Sequence, residues 1–306
     1  MDKKESHQGY LGVNAPLPGL NDQEGDTIPK TIDRVIDSHV HLFPGMIFDA
    51  VWRWFDKYGW PVRYKLHSSE LLNFLFDRGV DHVVAFQYAH KPGISDWLNN
   101  YMVAKVADFQ GRVTGLATVF PGEEGAVDIL NRAFDRGLKG VKLHVHVQCF
   151  DPVSKAMEPV YELCSARGKP MVIHAGREPK SPAYTCDPHE LCSAVRIKQV
   201  IKRYPDLRLC VPHFGMDEYD AYSCLIRDNN NLWVDTAMAI TDYLPIDASL
   251  DLLDQRSDRI LYGSDFPNIP YAWDRELKCI ENSAISRQVM QAITWKNAAE
   301  LFDIPV

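Results

Sequence analysis

Eight short apolar runs, at 34–40, 80–87, 112–119, 139–145, 170–174, 207–212, 231–236 and 259–263, alternate with longer segments whose apolar residues recur at helical spacing. The runs have strand length, and the period between them is that of amphipathic helices. Punctuation agrees with this. The segment from Ser69 opens on a capping residue and stops at Gly79, and Leu191 to Tyr204 precedes Pro205. Glu123 to Arg136 ends before Gly137, and Pro159 to Arg167 before Gly168. Glycine just past the last turn and proline beyond it are ordinary helix stops. Strands separated by helices must pair in parallel, because only a crossover reaches a parallel neighbour. A doubly wound open sheet has the same alternation, but no Gly-x-Gly-x-x-Gly follows a strand, so its nucleotide-binding form loses its main support. The expected fold is α/β, a distorted (β/α)8 TIM barrel. It forms a single domain over 34–306, behind an N-terminal extension at 1–33.

Composition narrows the class. The 306 residues suffice for one large domain or two small ones, and 46% hydrophobic residues allow a sizeable core. Lys and Arg number 33 against 41 acidic residues, a net charge of −8, which is not the electrostatic footprint of a nucleic-acid binder. No apolar stretch approaches the roughly 20 residues that cross a bilayer. The polar N-terminus, Met1 to about Asp33, lacks the apolar core of a secretory signal. Seven cysteines, odd in number and without Cys-x-x-Cys spacing, read as free thiols in a reducing cytoplasm rather than as a disulfide framework. The expected partner is a small molecule.

Parallel barrels gather their chemistry at the C-terminal ends of the strands. His39 and His41 end the first run, Lys142 and His144 the fourth, His174 the fifth, His213 the sixth and Asp265 the eighth. Residues two apart on a strand share a face, so His39 and His41 can present two imidazoles to one divalent ion, and zinc accepts such ligands. Asp37 lies one pleat deeper, as an interior hydrogen-bonding group or a further ligand.

In these strings the chain resembles the amidohydrolase superfamily over roughly residues 34–306. The similar branch contains aminocarboxymuconate semialdehyde decarboxylase and predicted TIM-barrel metal-dependent hydrolases. The resemblance rests on Asp37-Ser-His-Val-His41, His174, His213-Phe-Gly215, Gly263-Ser-Asp-Phe-Pro267 and the closing Trp295-Lys-Asn-Ala-Ala-Glu-Leu-Phe302. It implies His39, His41, His174 and Asp265 as ligands of one divalent metal, zinc or else manganese. His213 is implied as an acid/base or as a ligand of a second metal. Lys142 stands where two-metal members carry a bridging group, in a Val-Lys-Leu-His string like the carbamate-forming strand of dihydroorotase. The expectation is one metal, with Lys142 an uncarboxylated cation that contacts substrate.

The implied activity is hydrolysis of a C–N or C–O bond in a small, carboxylated substrate through a metal-activated water, with Asp265 and His213 as the catalytic pair. The alternative is non-oxidative, metal-dependent decarboxylation of an aromatic or enoic acid. His144, on the same alternation as Lys142, is a candidate substrate contact, as is Arg177, whose guanidinium suits a carboxylate. The aromatic segment from Phe43 to Trp60 follows the first strand and puts Ile47, Val51, Trp54 or Phe55 and Tyr58 on one helical face. It is expected to pack on the barrel rim and close the pocket, and a homodimer interface is its competing use.

Overall fold

The computed structural model describes residues 22–178, 180–243 and 250–305. All eight expected strands form: β1 Ile36–His41, β2 His82–Phe86, β3 Val113–Gly115, β4 Val141–His144, β5 Met171–His174, β6 Leu209–Val211, β7 Leu232–Asp235 and β8 Ile260–Leu261. Every ladder is parallel and joins strands consecutive in the chain. Single bridges close the ring, Ala117 to Val141 between β3 and β4, and Val40 to Phe266 between β1 and the segment after β8. A barrel closed by two thin seams is distorted, and its strands are buried along their whole length, as parallel strands covered by helices must be.

The helices run close to their sequence signals. Helix α1 (Gly45–Tyr58) and helix α2 (Ser68–Asp77) follow β1. Helix α2 is capped by His67, two residues before the expected Ser69, because His67 and Glu70 form a capping box. Next come α3 (Ser95–Asp108), α4 (Ala126–Asp135), the single turn α5 (Val145–Gln148), α6 (Glu158–Ala166), the short α7 (Pro188–Leu191) and α8 (Ala194–Arg203). Ser193 caps α8 through Val195 N, so the helical segment expected from Leu191 is interrupted there. Among the described residues no helix is long and apolar enough to cross a membrane.

Residues 1–21 of the expected extension lie outside the described residues. Residues 22–33 are tied to the barrel. Arg63 Nη2 donates to Glu24 Oε2 at 3.1 Å, Gly25 N donates to Asp274 Oδ2 at 2.9 Å, and Trp273 Nε1 donates to Gly25 O at 3.0 Å.

Two features of β1 and its surroundings set the site. An extra residue between Asp37 and Val40 shifts the β1–β2 register, a bulge that re-aims the side chains it carries. Asp37 then faces inward as a structural acceptor. Its carboxylate takes the Ser264 hydroxyl at 2.5 Å and the backbone N–H groups of Ser264 and His39 at 3.1 Å each, stitching β1 to the segment after β8. Gly263 lets that segment come close, since a Cβ there would sit 2.6 Å from His39 Cβ.

Candidate metal centre

The strand ends meet in a buried cluster of histidines and carboxylates at one end of the barrel. On the β1 side, Asp265 Oδ1 stands 2.9 Å from His41 Nε2 and 3.1 Å from His39 Nε2. His39 Nδ1 donates to Asp235 Oδ2 at 2.7 Å, which fixes the tautomer that turns Nε2 towards Asp265. Asp235 Oδ1 also accepts the backbone N–H of His213 at 2.8 Å and of Ala237 at 3.2 Å. His213 Nδ1 donates to Ala237 O at 2.8 Å, which leaves its Nε2 as the free ring nitrogen.

Local backbone strain holds this arrangement. Asp265 has φ +64°, and His213, Phe214 and Met216 have φ +58°, +51° and +59°. Residues with a Cβ seldom adopt the left-handed region, and where they do the surrounding structure compels it, most often at a functional site.

The β4–β5 side is built differently. His144 and His174 stack with ring centres 4.1 Å apart and planes 9° from parallel. Glu178, just beyond β5, reaches back to both His174 Nε2 (3.0 Å) and His146 Nε2 (3.2 Å). Tyr184 donates its hydroxyl to the same carboxylate at 2.5 Å. The two sides touch through His213, whose ring centre is 4.9 Å from those of both His39 and His174.

The electrostatics follow from burial. Burial disfavours charge on His41 and lowers it to about 4, only partly offset by Asp265, and it lowers His174 to about 3. His144 falls well below the usual histidine value through burial and the neighbouring imidazoles, and His213 is lowered by burial and by His39. His39 is the exception. Burial opposes its charging, but Asp235 and Asp265 overcome that and raise it to about 8. Asp265 is held well below the carboxylate range by His39 and His41 despite burial.

These residues suit a divalent cation. The donors are ionised carboxylates and imidazoles, neutral at His41 and His174, while His39 would give up its Nε2 proton to a bound cation, and these are ligand types zinc and manganese take. Ligand atoms sharing an ion at about 2.1 Å lie roughly 3.0–3.4 Å from one another, close to the separations around Asp265 Oδ1. His39 Nε2 is buried, 3.1 Å from that oxygen, yet makes no aligned hydrogen bond, as befits two donors facing a shared cation. Ligand atoms of His39, His213 and Asp265 lie within 4.8 Å of one another, as do those of His144, His146 and His174.

Of the residues expected from sequence, His39, His41, His213 and Asp265 therefore converge, and His144 lies beside His174 on the cavity wall. His174 groups with His144, His146 and Glu178 rather than with His39 and Asp265. Lys142 differs from its expected role at the substrate. It is wholly buried in the barrel interior, its Nζ 4.4 Å from the Phe86 ring centre and without a hydrogen-bond partner, and burial lowers it to about 8. It is not part of the cavity lining. Arg177 is also placed elsewhere, its Nε donating to Asp217 Oδ1 at 3.1 Å and lying 3.6 Å from Glu218 Oε2. Asp235 and Glu178 were not anticipated. Asp235 carried a signal, an acid at the end of the seventh apolar run, whereas Glu178 in a loop carried none.

Above the cluster opens a cavity of about 580 Å³. His41, His174, His213 and Asp265 contribute to its polar end, and α1 forms a wall with Ile47, Val51, Trp54 and Phe55. Helix α1 thus lies on the rim over the site, with Phe48 and Trp52 buried on its other face. Trp54 stacks on Tyr184 from the opposite side, 5.6 Å between centres and 23° between planes.

Solved structures share this architecture at low identity. An uncharacterised TIM-barrel protein of Bordetella bronchiseptica superposes with a TM-score of 0.70 at 17% identity, covering 88% of this chain and 98% of its own. The 5-carboxyvanillate decarboxylase of Sphingomonas paucimobilis gives 0.65 at 18%, covering 89% and 99%. A dihydroxybenzoic acid decarboxylase of a Polaromonas species, solved with bound manganese and 2-nitroresorcinol, gives 0.61 at 16%, covering 89% and 97%. No curated protein matches the chain significantly. The family model for amidohydrolases matches residues 36–304, from β1 through the closing helix, and the chain belongs to that family.

Proposed function

We propose that this protein is a metal-dependent, non-oxidative decarboxylase of a small aromatic or enoic acid. The observation that carries the proposal is the cavity's division of labour. Aromatic and aliphatic side chains form most of its walls, and the buried ionisable groups His41, His144, His174, His213 and Asp265 gather at the strand ends, with His90 and Lys91 exposed elsewhere on the lining. A flat, apolar acid fits such a space with its oxygens directed at the polar end. That two of the structural neighbours are named decarboxylases supports the same reading.

On this reading His39, His41 and Asp265 would hold one divalent ion, with His174 turning from Glu178 to complete the set, and the ion when bound supplies a Lewis acid for the substrate's oxygens. The remaining work falls to the chain's own groups. Trp54, Phe55 and Tyr184 orient the ring and exclude water from it. Loss of carbon dioxide breaks one carbon–carbon bond and leaves an electron pair on carbon that must take up a proton. His213 is placed to relay that proton, because its Nδ1 is committed to Ala237 and its Nε2, the free ring nitrogen, can take a proton from water and pass it to the carbon. Asp265 has Oδ1 engaged by two imidazoles and keeps Oδ2 for proton exchange with His213 or substrate.

Hydrolysis of a C–N or C–O bond is the second reading. The adjacent Asp265 and His213 favour it, since the same pair can activate water. Incubating the manganese- or zinc-loaded enzyme with a panel of hydroxybenzoic and enoic acids, in water enriched in heavy oxygen, separates the two. The proposal expects carbon dioxide release and a product free of solvent oxygen. Product carrying solvent oxygen, without carbon dioxide, would replace it with the hydrolase.

A further inference from the structure

We propose that Cys149 and Cys186 form a reversible thiol–disulfide pair at the cavity mouth, a modification site that clamps the Tyr184 wall to the turn carrying His146. Their sulfurs are 2.9 Å apart across 37 residues of chain. Both thiols donate to one acceptor, the carbonyl of His146, Cys149 from 3.3 Å and Cys186 from 3.1 Å, so they are held side by side. Thr185 Oγ1 lies 2.8 Å from Cys149 Sγ and completes the cradle. The covalent bond, about 2.05 Å, needs only a small approach from here.

Accessibility assigns the order of events. Cys149 is exposed and Cys186 is half-buried, whereas Cys164, Cys192 and Cys210 are buried. Burial and the neighbouring sulfur push the Cys186 thiol up to about 12, so first attack falls to Cys149. With a small-molecule disulfide as oxidant, the Cys149 thiolate displaces one thiol and forms a mixed disulfide. The Cys186 sulfur then attacks the Cys149 sulfur and expels the second thiol. Two protein thiols lose two electrons and two protons, and one small disulfide becomes two thiols.

Both partners sit on parts of the site. Cys149 ends α5, the turn that carries His146. Cys186 lies two residues beyond Tyr184, whose ring faces His146 at 4.6 Å and Trp54 at 5.6 Å and whose hydroxyl binds Glu178. Linking residues 149 and 186 joins two loops that approach each other only through non-covalent contacts, and it fixes one wall of the cavity. The inference does not depend on which reaction the site performs, because its first readout is a mass.

The test treats the metal-loaded protein with oxidised glutathione or with dithiothreitol, then digests it without reduction for peptide mass analysis. The expected oxidised sample contains a Cys149–Cys186 cross-linked peptide pair lighter by two hydrogens than the two thiol peptides together, and dithiothreitol removes the link. Cys186→Ser should stop at a glutathione adduct on Cys149, and Cys149→Ser should form neither product. A stable glutathione adduct on Cys149 of the unaltered protein, or a link from Cys186 to Cys192, would overturn the pair. Turnover should fall on cross-linking and return with dithiothreitol. Unchanged turnover in a fully cross-linked sample would overturn the clamp.

Discussion

The two sides of the site are built on different principles. Where β7, β8 and β1 meet, Asp235 accepts from the His39 ring and from the backbone of His213, and His39 and His41 converge on Asp265. His39, His41 and Asp235 there belong to strands, and Asp265, four residues past β8, is pinned to β1 by its backbone N–H donating to His39 O at 3.0 Å. On the β4–β5 side the imidazoles stack on one another, and their carboxylate, Glu178, comes from a loop. Strand-borne positions are precise because barrel hydrogen bonding holds their backbones, whereas loop-borne groups adapt. On the proposed function the first side would hold the ion rigidly through His39, His41 and Asp265, and the second, which adds His174, would also follow the substrate.

Replacing groups on each side probes this contrast, and Asp265 should show the largest effect. Asp265→Asn should retain much of the metal through its remaining oxygen and the imidazoles, yet lose turnover, because an amide cannot accept the proton. His213→Gln should lower kcat by roughly 10²–10⁴-fold, the usual contribution of a positioned acid or base. Near-normal kcat in both variants would move proton transfer to the β4–β5 side, with His144 or Glu178 the next groups to test.

A smaller effect separates the two supporting carboxylates. Removing a carboxylate that orients a ligating histidine typically weakens metal binding by about 10–100-fold. Asp235→Asn should lie in that range, measured by competition with a chelator. Glu178→Gln should weaken binding less and act mainly on KM. Equal losses of metal affinity in the two variants would erase the proposed distinction between a rigid and an adaptable side.

The smallest effect concerns stability. Behind the rigid side, Glu276 is buried, with Oε1 accepting from Tyr271 at 2.6 Å and from Met238 N at 3.1 Å. Burial raises it from 4.5 to about 8, so the folded protein binds this proton more tightly than the unfolded chain does. Stability from this group is fully present below about 4.5 and is lost as pH rises towards about 8, with a slope of at most about 1.4 kcal/mol per pH unit. Glu276→Gln should flatten the dependence of Tm on pH across that window. An identical pH profile in the variant would show that Glu276 is ionised in the fold at neutral pH.

The same contrast explains what was legible in the sequence. The eight strands were readable because a fully buried parallel strand leaves a short apolar run. The helix signals likewise placed α2, α4 and α6 to within a few residues. His39, His41, His213 and Asp265 stood out because each ends such a run. The bulge in β1 left no comparable mark, so alternation alone did not reveal that Asp37 serves Ser264 and the His39 backbone. Position in the sequence alone suggests Arg177 and Lys142, but their surroundings come from tertiary contacts. Asp217 and Glu218 engage the first, and complete burial beside Phe86 encloses the second. Glu178 joins two histidines 28 residues apart in sequence, His146 and His174, and no local pattern encodes such a bridge.

The most direct test of the central claim is metal content per chain, measured by elemental analysis on the protein as purified and on the His39→Ala/His41→Ala variant. The account predicts close to one divalent ion per chain in the first and almost none in the second, with the circular-dichroism spectrum of the barrel retained. Two stoichiometric ions in the unaltered protein, or one ion kept by the double variant, would contradict it.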